Sequence, residues 1–373
     1  MPPSSETTPP NADEIEVSLF GPGVGEAVLL HVGSGEWIVI DSCLDRPSGR
    51  PVALRYLEGL GCDPTSAIVL VVATHWHDDH VGGLAAILRA TPRAKLICSA
   101  ALISDEFFQL VASGDRAMMV SPGSAEFSEV FAILQERRTG PRARFAGAEW
   151  AKANERLWWR RGAPFHGEVW ALSPSAESMT LAMHEFAQYL PQRGAPKRRL
   201  IAQQPNEVAL VLWAEVGGIR ILLGADLENR GKPLTGWQAI LASTARPSGA
   251  AHVFKVPHHG SRNGDDPNVW SQMLVTEPHT ALTPYTRGVT VPTVADIARL
   301  RARTPNLYMT AQPGTGGGWA PPQRDAAVEK TLREITRGRR RALTGPMGHV
   351  RLRAKAGDPN NLRVELFHSA HRP

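Results

Sequence analysis

Six consecutive residues, His75-Trp76-His77-Asp78-Asp79-His80, place three imidazoles and two carboxylates side by side. At the spacing H-x-H-x-D-H these are borderline nitrogen and oxygen donors of the kind that hold zinc, manganese or iron. His75 and His77 face the same way if the segment is extended. Asp79 and His80 would then fall at the start of a helix, aimed at a neighbouring position. Gly82 and Gly83 let the backbone pack closely just behind them. The chain has 13 histidines, and a solvated loop that happens to collect some of them is the bland alternative. The full pattern is too specific for that reading. His166, His184 and His252 stand outside any ligand spacing, and Asp78 reads as a capping or solvated residue.

The elements around the motif fit such a role. Ala67–Ala73 (AIVLVVA) is short, continuous and rich in Val and Ile, as a strand buried on both faces reads, and it runs straight into the histidines. Leu84–Ala90 after them has helical character. Upstream, Glu16–Phe20, Ala27–Val32 and WIVID ending at Asp41 form a β-meander start. Residues 51–60 carry apolar groups at helical spacing, with Gly61 as the stop signal. Downstream, helical stretches are expected at 125–136, 176–190, 292–303 and 323–337. Strands are expected at Val208–Glu215, Ile219–Gly224, His252–Val256, Thr280–Thr283 and Leu307–Thr310, and a closing hairpin turns at GDPNN.

Strand-rich halves interleaved with helices predict an α/β protein whose sheets are covered by helices on their outer faces. The expected organisation is a disordered tail at 1–13 and a single domain at 14–373, with a decorating insertion at about 101–200. The tail expectation rests on a segment with almost nothing to bury. At 373 residues, 42% hydrophobic and 21% charged, the composition is globular. No apolar run approaches the ~18 residues a membrane span needs. MPPSSETTPPNADE has neither a basic n-region nor an apolar h-region, so it does not read as a signal peptide. The three cysteines, Cys43, Cys62 and Cys98, form no CxxC pair. They read as free thiols in a cytoplasmic protein. A net charge of +5 favours an anionic partner only weakly, since net charge speaks to steering and not to function.

Several stretches, in order, resemble the metallo-β-lactamase superfamily: GxGE, IDS, HWHDDHVGG, NEVALVL, LLGADL and VPHHGS. Their order is similar to one subgroup in particular, the ComEC-like metal-dependent nuclease domains, over about residues 15 to 355. The resemblance implies an αββα sandwich of two mixed sheets flanked by helices. It also implies that Asp41 supports the histidine loop from behind, that Asp226 bridges two metals, and that His259 completes the second. The pattern departs from the family at Asn206, where most members carry a further histidine, at Ala225 in place of a glycine, and at Thr290-Val291-Pro292 in place of Gly-His-Pro.

Two divalent ions, zinc or manganese, would then be held by His75, His77 and Asp226 on one side. Asp79, His80, Asp226 and His259 would hold the other. Such a pair makes a shared water acidic near neutral pH and acts as a Lewis acid. The expected chemistry is hydrolysis by a metal-bound hydroxide, with Asp79, Asn206 and His258 as the catalytic side chains. No GxSxG nucleophile motif is present. The expected substrate is a phosphodiester in nucleic acid or a nucleotide, with Ser261 placed to touch a phosphate. An ester, thioester or lactone hydrolase and a non-catalytic, metal-stabilised binding module are the alternatives. The tract from Arg137 to Arg161 interleaves basic residues with Phe145, Trp150, Trp158 and Trp159, as single-strand binders do. For a polynucleotide substrate, Arg156, Arg160 and Arg161 should lie beside the metal mouth. A basic loop whose tryptophans face the core is the simpler alternative. Oligomeric state is open.

Overall fold

The computed structural model describes residues 5–21, 25–45, 47–103, 122–139, 148–189, 205–229, 231–286, 290–313 and 347–373. The helix expected at 323–337 and Phe145 lie outside them.

In chain order the strands are β1 (Glu14–Gly21), β2 (Ala27–His31), β3 (Trp37–Ile40), the short pair β4 (Leu44–Asp45) and β5 (Arg50–Pro51), and β6 (Ile68–Ala73). They continue with β7 (Lys95–Ser99), β8 (Ala148–Ala151), β9 (Glu155–Arg160), β10 (Gly167–Ala171), β11 (Leu212–Val216) and β12 (Ile219–Leu223). The last are β13 (Ala251–Lys255), β14 (Leu274–Leu282), β15 (Leu307–Met309), β16 (Gly348–Lys355) and β17 (Arg363–Phe367). One sheet has the order β17-β16-β1-β2-β3-β6-β7-β8 and the other β15-β14-β13-β12-β11-β10-β9. Each is mixed: pairings from β3 to β8 are parallel in the first, and from β12 to β15 in the second.

Strand periodicity explains the layering. Val28 and Leu30, Ile38 and Ile40, and Leu70 and Val72 join Ile221, Leu223 and Val253 between the sheets. The alternate residues Leu29, Trp37, Val39 and Val71 point outward, beneath the helices Val52–Gly59, Leu84–Ala90 and Pro122–Thr139. On the other side Trp213, Leu222 and Phe254 pack against Trp237, Ile240, Val269 and Met273. β6 reads as an unbroken apolar run because both of its faces are covered. Each such fully buried side chain contributes about 1.5–3 kcal/mol. The result is the expected αββα sandwich.

Two expectations about organisation meet a different arrangement. Within the supposed insertion, β8 closes one edge of the first sheet and β9 and β10 extend the second, so these residues belong to the layers themselves. From Ser5 onward the expected tail is held in place: Arg351 donates to Ser5 O and Glu6 O, and Arg353 to Thr8 O. Backbone carbonyls, invisible to a hydrophobicity argument, are the anchor.

Candidate metal centre

The site forms where four strands end. Asp41 follows β3, His75 and His77 follow β6 through Thr74, Asp226 follows β12, and His258 and His259 follow β13. Parallel strands deliver successive chain segments to the same end of a sheet, and ligands in open α/β sheets gather outside those carboxyl ends. After His77 the short helix Asp78–Val81 carries Asp79 and His80 inward.

The donors converge. Asp79, His80, Asp226 and His259 place their ligand atoms within 4.8 Å of one another, and so do His75, His77 and Asp226. His259 Nε2 lies 3.2 Å from Asp79 Oδ2 and 3.3 Å from Asp226 Oδ2, and His80 Nε2 lies 3.4 Å from Asp226 Oδ2. Asp41, His75 and His80 also cluster, but Asp41 is already engaged. It accepts from Thr74 N and Thr74 Oγ1 at 2.7 Å each, and it pairs with His80 Nδ1 at 2.8 Å. Its role is to fix the ring of His80, as a carboxylate behind a metal-binding imidazole does. Thr74 Oγ1 does the same for His75 Nδ1 at 2.9 Å, and Thr283 O for His259 Nδ1 at 3.0 Å.

His75 Nε2 and His80 Nε2 are buried without a hydrogen-bond partner. Such atoms cost about 1–3 kcal/mol each when unsatisfied, and here they face a common centre. Divalent cations would satisfy them, and the nitrogen and oxygen donors suit zinc or manganese. The residues present therefore fit a two-metal site.

Burial and then the neighbouring His80 and His77 hold His75 well below the usual imidazole value. Burial likewise lowers His77. At His259 burial opposes the charged form, but Asp226, Asp79 and Glu26 outweigh it and push the group up to about 10. His80 moves the same way: burial disfavours its charge, and Asp226, Asp79 and Asp41 overcome that. The carboxylates thus favour a cation at this point, and metal binding to these nitrogens would be coupled to proton release.

Asn206 lies on the turn Pro205–Val208, buried, with Nδ2 donating to Glu228 Oε1 at 2.9 Å and 3.3 Å from His258 Nε2. Its Oδ1 has no hydrogen-bond partner. His258 stands on this shelf, with Asn263 Oδ1 and Ser261 Oγ each 3.0 Å from its Nδ1. Ser261 is spent on that turn. Of the two histidines, His259 is the one turned toward Asp79 and Asp226.

The basic tract divides: Arg156 pairs through Trp170 and Trp213 with Leu222, toward the end of β12 that Asp226 follows, and the rest takes another place. Arg160 pairs across β10 and β11 with the Val216–Ile219 end of β12, whereas Asp226 follows the opposite end. Arg160 also donates to Val32 O and to Glu36. Arg161 packs over Trp159 at 5.7 Å, and Arg156 over Trp159 at 5.4 Å and Trp170 at 5.5 Å. The expectation that Arg160 and Arg161 border the metal mouth does not hold, because antiparallel pairing carries them to the far end of the sheet. Arg137 is buried and donates to Leu88 O, Thr91 O and Ala94 O.

Three residues near the centre escaped sequence reasoning as functional candidates: Glu26, Glu228 and Lys255. A signal existed for each. Glu26 closes the GxGE turn, Glu228 follows Asp226 by two positions, and Lys255 interrupts an otherwise apolar strand end.

Residues 20–105 match the family model of the metallo-beta-lactamase superfamily, a span that includes Asp41 and His75 to His80. No curated protein matches the chain. Among solved structures, a metallo-beta-lactamase HARLDQ motif mutant from Cronobacter sakazakii (Enterobacter sakazakii) is 17% identical, over 64% of this chain and 75% of that one, at a TM-score of 0.34. The metallo-beta-lactamase fold protein YhfI from Bacillus subtilis is 9% identical, over 81% and 97%, at 0.39. The subclass B3 metallo-beta-lactamase MEM-A1, from a soil metagenome library, is 16% identical, over 69% and 83%, at 0.33. The family match falls on the very segment that carries the histidine cluster, so over residues 20–105 the chain is similar to the metallo-beta-lactamase superfamily.

Proposed function

We propose that the protein is a metal-dependent hydrolase whose substrate is a phosphodiester in nucleic acid or a nucleotide. The observation that carries the hydrolase reading is the convergence of two ligand sets on one shared carboxylate, Asp226. Divalent cations held there supply Lewis acidity and make water acidic near neutral pH.

The chain's own residues do the rest. His75 and His77 offer neutral nitrogens, while Asp41, Thr74 and Thr283 O keep the rings oriented. Asp79, facing His259 and His80, is placed to orient a donor O–H at the centre. Asn206 and the partly exposed His258 form a polar shelf suited to contacting bound substrate. The order of motifs, similar to ComEC-like domains, supports the phosphodiester class. The tract around Arg160 lends it no support.

Purified protein supplied with manganese or zinc should turn over bis-nitrophenyl phosphate and leave nitrophenyl acetate nearly untouched. Turnover of the acetate alone would replace the reading with an ester hydrolase. No turnover of either, despite stoichiometric metal, would make it a metal-stabilised binding module.

A further inference from the structure

Two buried charges behind the centre have no part in the roles assigned above. Lys255 ends β13 and Glu26 immediately precedes β2, so they come from different sheets. They are 3% and 2% exposed. Lys255 Nζ donates to Glu26 Oε1 and, at 2.7 Å, to Ala225 O, and it stands 3.7 Å from Asp226 Oδ1. Glu26 reaches the other ligands. Its backbone N–H donates to Asp79 O at 2.9 Å, and its carboxylate lies 3.8 Å from His80 Nδ1 and 3.9 Å from His259 Nδ1. Every member of the set Asp79, His80, Asp226 and His259 thus lies beside this pair, Asp79 through its backbone carbonyl. The pair also lines a cavity of about 10 Å³ together with Asp41 and Thr74, the supports of His80 and His75.

Stability alone does not account for such a pair. Taking two charges out of water is costly, and a buried ion pair can often be replaced by apolar residues of similar volume without loss. The neighbouring positions on β13, Val253 and Phe254, are apolar and buried, so an apolar residue would suit this one equally. What an apolar residue could not do is set charge and direction at the ligands. Asp41 and Thr283 O already hold the Nδ1 atoms of His80 and His259; what the Glu26 carboxylate adds behind both rings is negative charge, which strengthens them as donors to a cation. An ammonium beside Asp226 Oδ1 limits how that carboxylate can turn.

We propose that Lys255 and Glu26 are positioning residues of the metal centre: a cross-sheet charge pair that orients Asp226 and strengthens His80 and His259 as donors to a divalent cation. This rests on the reading of the centre as a metal site.

The test uses the full chain, cobalt(II) as the probe, and three variants: Lys255→Met, Glu26→Gln and the double Glu26→Met/Lys255→Met. Removing both charges together avoids stranding one of them. The double variant should melt within a few degrees of the parent when metal-free. It should nonetheless bind one of two cobalt equivalents at least tenfold more weakly by calorimetry, with an altered visible d–d absorption. Each single variant should show the same spectral change and a lower melting temperature. A double variant that folds and keeps the parent's affinities and spectrum would overturn the proposal and leave a simple strut. A double variant that does not fold would overturn it too, since the pair would then serve the fold and not the ligands. If the parent takes up no cobalt, the metal reading itself falls, so the two failures are distinguishable.

Discussion

Asp226 is the carboxylate common to both ligand sets, and this makes its removal different in kind from that of any histidine. Asp226→Ala should lose most of the bound metal at both positions. His77→Ala, which touches only the set with His75, should leave one equivalent bound. Elemental analysis after dialysis separates them, and an Asp226→Ala protein with full metal content would end the bridging assignment. Asp41→Ala keeps every proposed ligand but frees the ring of His80, and the loss of such a support costs about 10–100-fold in metal affinity. Titration with zinc reads that loss directly. Legibility divides along the same lines. His75, His77, Asp79 and His80 were readable because they sit within one turn of chain. Asp226 and His259 were readable only through resemblance, and Glu26 and Lys255 not at all as partners. Their meeting depends on one sheet stacking on the other, which no local pattern encodes.

The elements that hold the centre are strand ends bent sharply into turns. Asp41, Ala225, His258 and His259 all have positive φ, at 59°, 44°, 46° and 52°, a region that costs non-glycine residues about 1–3 kcal/mol each and clusters at functional sites. Something must over-determine these turns. For the histidine pair it is the helix Val294–Arg301, whose Arg299 donates to Gly260 O at 2.8 Å and pairs with Asp265 and Asp296. That helix opens with a capping box between Thr293 and Asp296. Thr293→Ala should cost about 1 kcal/mol of stability and leave metal affinity unchanged. Arg299→Ala should weaken both, because it strands Gly260 O and loosens the turn carrying His259. Chemical denaturation paired with metal titration distinguishes them, and equal affinity in both variants would deny Arg299 its link to the site. The helix itself was foreseen at 292–303, from its apolar spacing. Its bond to the HHGS turn was not, since a long side chain's reach leaves no periodic trace.

At the scale of the whole molecule, β16 lies between β17 and β1 near one edge of the first sheet, and its buried arginines depend on residues far away in sequence. Arg353 pairs with Glu16 and donates to Thr8 O at 2.6 Å. Arg351 pairs with Glu365 and donates to Glu6 O at 2.9 Å and Ser5 O at 3.1 Å. Glu6 in turn lies 3.0 Å from His349 Nδ1 and 2.8 Å from His368 Nε2. A segment with nothing apolar to bury is thus fixed by charge-assisted bonds, which are each worth more than a neutral hydrogen bond. Deleting residues 1–8 would remove these acceptors from guanidiniums that stay partly enclosed by Tyr56, Phe367 and the sheet. Water can enter to replace some of them, so the expected loss is about 2–4 kcal/mol, in the range for a few hydrogen bonds to charged groups. Urea denaturation of the truncated and parent proteins measures it. Metal uptake of the folded truncated protein should match the parent's, because β16 lies on the far side of β1 and β2 from the strands that end in the ligands. An unchanged urea midpoint would show that the strap is a passenger and that the buried arginines are satisfied without it.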